Sequence, residues 1–152
     1  MSESMDQFTQ MATQLAIDLI QRFEGIRHQP YFCPAGRLTI GWGSTRGVEP
    51  GMQITNQQAQ KMLKEEVLEL ESEIRSCVKV KLKDHELAAL LSLAHNIGIT
   101  RFKASTLLNK LNCGDKKGAS TEFTRWVHVH GKRFPGLVKR RVAEKTLFLG
   151  QV

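Results

Sequence analysis

Long apolar runs are missing from this chain of 152 residues. No uncharged stretch reaches the roughly 18–20 residues that span a bilayer, and the nearest, 87–100, is interrupted by His95 and Asn96. Stable membrane insertion is therefore not expected. A Gly-rich phosphate loop, a Walker motif, zinc-finger spacing and an RNA-binding aromatic pair are also absent, so no nucleic-acid partner is expected. The three cysteines, Cys33, Cys77 and Cys113, have no metal-ligand spacing and cannot all pair within one chain. They suit a reducing compartment, and neither a metal nor a cofactor is implied. The first residues carry Glu3 and Asp6 and lack the basic-then-apolar layout of a signal peptide. The expectation is a protein that stays in the cytoplasm until something else releases it.

What is present suffices for a core. With 41% hydrophobic residues, the chain can fold as one compact unit or as two small lobes sharing a helix. A net charge of +7 and a pI near 9.6 predict affinity for anionic polymers: nucleic acid, a membrane surface or an acidic cell wall.

The organising stretch is 24–39, EGIRHQPYFCPAGRLT. Before it, Phe8, Met11, Ala12, Leu15, Ala16, Leu19, Ile20 and Phe23 recur as one buried helical stripe that Gly25 ends. Glu24 then falls in the last helical turn, where unpaired carbonyls disfavour a charged carboxylate, a setting that suits proton donation. Beyond Pro30, a turn at Pro34-Ala35-Gly36 predicts a β-hairpin. With a three-residue loop, Tyr31, Cys33, Arg37 and Thr39 share one face, and Leu38, Ile40 and Trp42 take the core face. The thiol and hydroxyl would look toward whatever the Glu24 helix end faces, the outline of a cleft.

Downstream, Thr55 with Gln58 has capping-box spacing for a helix reaching about Cys77. Ala59, Met62, Leu63, Val67, Leu70 and Ile74 form its apolar face, and Glu65, Glu66, Glu69, Glu71 and Glu73 its solvated face. Such a helix can connect two lobes. Val78 to Lys83 reads as an extended link. Asp84 caps a helix that is apolar nearly all round, the centre of the larger lobe, with His95 and Asn96 at its end. Ser105 caps a short helix, another runs from about Lys116 to Val127, His128 to Gly131 is loop-like, and Pro135-Gly136 opens a last helix. Leu137, Val138, Val142, Leu147 and Phe148 point inward from it.

Several residues have more than one reading. Cys33 is a small buried hydrophobe, or a nucleophile partnered by His28 or His95. His128 and His130 lack the third ligand that a zinc site needs. Arg140 and Arg141 are phosphate contacts, surface charges, or cations reaching Glu24.

Taken together, FEG at 23–25, PAGRLTIGWGST at 34–45, HNIG at 95–98, STLLNKLNCGD at 105–115, FTRW at 123–126 and GLVKRRVAEKTLF at 136–148 resemble the phage-type lysozymes, or endolysins, in order and spacing. The resemblance runs from Leu19 to Leu149. It implies an α+β, lysozyme-like fold forming one domain over 1–152: a β lobe at about 30–54, a connecting helix at about 55–77, and a helical lobe at about 6–25 plus 78–150. It implies hydrolysis of the β-1,4 bond between N-acetylmuramic acid and N-acetylglucosamine in peptidoglycan. Glu24 would be the general acid, with Cys33 and Thr39 positioning or activating water, and Tyr31, Asn96, Arg140 and Arg141 as substrate contacts. Inversion of this kind needs about 6.5–9.5 Å between the two groups when both are carboxylates. A monomer acting in the periplasm after holin-dependent release, and lysing the host cell, completes the expectation. Three positions depart from the common pattern: Cys33 for Asp, Ser44 where His is frequent, and His95 where Phe is usual. The rivals are a lytic transglycosylase, which yields anhydro ends, and a non-catalytic wall-binding protein.

Overall fold

The computed structural model describes residues 2–151, with side chains from residue 11 onward; Phe8 lies outside the described side chains. Helix α1, Ser2–Glu24, ends where Gly25 adopts φ 67°, a left-handed conformation that glycine enters without the Cβ penalty. Its buried face is Ala12, Ala16, Ile17, Leu19 and Ile20, whereas Met11 is 57% exposed. The stripe is thus rotated from the expected one, because Ile17 rather than Met11 faces the neighbouring helix.

Strands β1, Arg27–Phe32, and β2, Leu38–Gly41, pair antiparallel with Tyr31 opposite Thr39 and Phe32 opposite Leu38. The Cys33 N–H donates to the Arg37 carbonyl at 3.0 Å and the Gly36 N–H to the Cys33 carbonyl at 2.8 Å, which closes the three-residue loop. Helix α2, Asn56–Cys77, opens with the full Thr55/Gln58 capping box. Its acidic face is not all solvated: Glu71 is buried, receives the Thr13 hydroxyl and pairs with Arg75, and Glu66 is half-buried.

Helix α3, Asp84–Ile97, is the centre of the larger lobe, with 86–94 buried throughout. Asp84 is its first helical residue rather than its cap; the Glu86 carboxylate reaches back to accept from the Lys83 N–H at 2.7 Å. Helices α1, α2 and α7 pack around α3. The short α4, Ile99–Lys103, and α5, Thr106–Asn112, follow, the latter capped by the Ser105 hydroxyl. Helix α6, Lys116–Glu122, passes into a 3₁₀ turn, Phe123–Arg125, so it stops short of Val127. The loop expected at 128–131 is a small hairpin, β3, His128–Val129, and β4, Lys132–Arg133. His130 and Gly131 both take positive φ, the geometry of a tight two-residue turn.

Helix α7, Pro135–Phe148, begins with Pro at its start, where the missing N–H costs nothing. Val142 points outward, 51% exposed, while Arg140, Arg141 and Glu144 point inward. The apolar core gathers Leu63, Leu87, Leu90, Leu91, Phe102, Phe123 and Phe148, with the last two rings tilted at 5.5 Å between centroids. Leu90 is fully enclosed. Leu90→Ala is expected to lower the unfolding free energy by about 2–5 kcal/mol, read from the urea midpoint at unchanged slope.

Candidate active site

The end of α1, the β1–β2 hairpin and the middle of α7 meet at Glu24. Its Oε1 accepts from Arg140 Nη1 at 2.5 Å. Its other oxygen rests on Gly43, where a Cβ built on the backbone would stand 2.7 Å from Oε2. Gly43 has φ 85°, so both its conformation and the approach of the carboxylate require the absence of a side chain. The turn that contains it is pinned by backbone bonds between Ile40 and Ser44, 2.9 Å in each direction.

Tyr31 lies close enough to feel Glu24. Burial pushes its phenol up from the ordinary value and the Glu24 charge adds to this, against the lowering effect of Arg27. The Arg27 guanidinium stacks over the ring at 4.8 Å from its centroid. Tyr31 therefore remains a hydrogen-bond donor at neutral pH.

Cys33 and Thr39 fall on one face of the hairpin, as their register requires. Partial burial works against the Cys33 thiolate, but backbone groups of Arg37, Ala35 and Gly36 and the Thr39 hydroxyl bond to it, and the net result is a thiol held below its ordinary value. The Thr39 hydroxyl has a single proton, given to the Arg37 carbonyl at 2.8 Å. Turned toward the sulfur, the same proton stabilises the thiolate. At Cys77 the same burial penalty prevails and raises the thiol, against the nearby Lys103 charge. In iodoacetamide labelling across a pH series, read by peptide mass spectrometry, Cys33 is expected to reach half-maximal rate at a lower pH than Cys77.

Neither imidazole considered as a partner for Cys33 bonds to it. His28 Nε2 meets Asn56 Oδ1 at 2.5 Å, and His95 faces Glu66. His128 and His130 are exposed on the β3–β4 hairpin, and no cluster able to hold a metal occurs among the described residues.

Arg140 and Arg141 are enclosed rather than presented to a ligand. Besides Glu24, Arg140 donates to Glu144 Oε2 at 3.2 Å and to the Ser92 carbonyl at 3.0 Å. Arg141 donates to the Trp126 carbonyl at 2.8 Å, to Glu144 and to Asn96 Oδ1. Burial lowers Arg141 from its ordinary value, opposed by the Glu144 charge, and a guanidinium so placed still carries its proton. Exposed Asn96 is thus oriented from behind through its Oδ1. Glu144 and Gly43 were not singled out from sequence. The i, i+3 and i, i+4 spacing of Glu144 from the two arginines was the available signal for one, and the glycine-rich TIGWGST run for the other.

A two-lobed α+β fold with a carboxylate between a helix end and a short hairpin defines a lysozyme-like glycoside hydrolase. The phage lysozyme family model matches residues 21–144, and the chain belongs to that family. It is 47% identical over 134 residues to an endolysin of Acyrthosiphon pisum secondary endosymbiont phage 1, covering 86% of this chain and 92% of the relative. Among solved structures, the muramidase domain of SpmX from Asticaccaulis excentricus superposes with a TM-score of 0.80 at 32% identity, covering 88% of this chain and 94% of that one. The active form of P1 phage endolysin Lyz gives 0.79 at 30% identity, covering 91% and 85%. The protein is a peptidoglycan-degrading endolysin of the muramidase type.

Proposed function

We propose that Glu24 is the general acid of this hydrolysis, protonating the glycosidic oxygen between N-acetylmuramic acid and N-acetylglucosamine. The carrying observation is the division of its two oxygens. Oε1 is taken by Arg140, so Oε2, against the Gly43 turn, is the oxygen left to hold and donate the proton. Cys33 and Thr39 hold the attacking water, which adds to the anomeric carbon as the C–O bond breaks. The turn N–H groups that favour the thiolate let Cys33 draw on that water's proton. Attack from the side opposite Glu24 inverts the anomeric centre. Tyr31 and the Asn96 amide donate to the sugar.

The 152 residues act as one lysozyme domain, a monomer that needs no metal or cofactor. It waits in the host cytoplasm, crosses with the help of a holin and lyses the cell from the periplasm, its +7 charge drawing it to the anionic wall. The test is mass spectrometry of muropeptides released from purified peptidoglycan, with Glu24→Gln alongside. Hydrated, reducing muramic-acid ends that vanish in the variant support the reading. Anhydro ends, lighter by one water, overturn it in favour of a transglycosylase, and no release by the reduced wild-type protein leaves only a binder.

A further inference from the structure

Ser44, Glu66 and His95 take no part in the chemistry described above, yet they join the hairpin lobe, the connecting helix and the helical lobe. The Ser44 hydroxyl donates to Glu66 Oε1 at 2.7 Å, and His95 Nε2, at the end of α3, stands 3.5 Å from the same oxygen. Ser44 is buried and the His95 side chain is 5% exposed. His95 Nδ1 is buried with no partner. The Glu66 carboxylate is the polar group that Nε2 faces.

A phenyl ring would fill this space without an unsatisfied nitrogen. The imidazole is therefore explained by Glu66 and not by packing. Ser44 in turn is the residue after Gly43, inside the turn closed by the Ile40–Ser44 backbone bonds, and Gly43 is the surface on which the Glu24 carboxylate rests. Movement of Ser44 is movement of that surface.

We infer that Ser44, Glu66 and His95 form a brace that fixes the Gly43 turn against Glu24, which makes His95 a positioning residue for proton donation. This inference rests on Glu24 as the acid.

The test is turnover of soluble glycan strands prepared from purified peptidoglycan, below the melting temperature of every variant. His95→Phe is expected to lower kcat about tenfold with KM changed less than about twofold, the signature of a displaced acid and not of lost binding. Ser44→Ala is expected to fall in the same way, and it carries the test if His95→Phe does not fold. Wild-type kcat in His95→Phe, or a loss expressed in KM, overturns the brace. Full turnover by Glu24→Gln in the same assay removes the general-acid reading instead, so the two failures are distinguishable.

Discussion

Glu24→Gln is expected to lower kcat on peptidoglycan by about 10²–10⁴-fold, the range supplied by a positioned general acid. The substitution keeps the shape of the side chain, and a Gln carbonyl oxygen can still accept from Arg140, so the geometry around Oε1 survives. What is lost is the transferable proton at the Gly43 side. Substrate contacts assigned to Tyr31 and Asn96 are untouched, so KM should move little. Arg140 also keeps Glu144 and the Ser92 carbonyl, so the melting temperature should stay within a few degrees. Initial rates of reducing-end release, measured with the unfolding curve of the same preparation, check both statements. A Gln variant that cleaves at the wild-type rate removes Glu24 from the acid role.

Glu144→Ala should have the largest effect on stability, a loss of about 3–5 kcal/mol in unfolding free energy. Glu144 is completely enclosed, and its two oxygens hold the Ser92 hydroxyl at 2.5 Å and both guanidiniums of α7. Its removal leaves Arg140 with Glu24 as its only carboxylate partner among the described residues, and Arg141 with none. Taking two buried cations away from their shared anion costs far more than cutting an exposed pair such as Arg46–Glu69, where the median is about 0–1 kcal/mol. Against a typical stability of about 5–15 kcal/mol, such a loss is a large share of the whole. Glu144→Gln keeps the acceptor geometry and gives up the charge, so it should lie between the wild type and the alanine variant. Urea unfolding of the three proteins orders them.

The contrast between these two sites explains what could be read from the sequence. Thr55 with Gln58, Ser105 with Leu108 and the Gly25 stop involve residues a few positions apart, and local chemistry decides them. The hairpin register followed from loop length alone, so Cys33 and Thr39 could be set on one face before any tertiary contact was known. The α+β, two-lobed fold came from the resemblance. Apolar periodicity failed where a helix buries polar groups. On α7 it selected Val142, which is exposed, and left Arg141 and Glu144 outside the core. On α2 it placed Glu71 in solvent although Thr13 receives it in the interior. A buried carboxylate becomes tolerable only when its partner arrives from another element, and that arrival is a property of the fold. At 128–131 the two histidines drew attention to metal chemistry, while the relevant signal was the His130-Gly131 pair, able to take positive φ. The Ser44–Glu66–His95 contacts join three elements and could not be read from any one of them.

The Arg140–Glu24 bond spans 116 positions of the chain. A ribosome delivers Glu24 well before Arg140, so the acid is held by its partner only after α7 has been made and docked. A chain cut before α7 would have the hairpin, the thiol and the carboxylate, but nothing to hold Oε1 in place. Peptidoglycan-cleaving power is then expected to arise only once α7 is in place, and proteolytic fragments lacking α7 should leave peptidoglycan uncut.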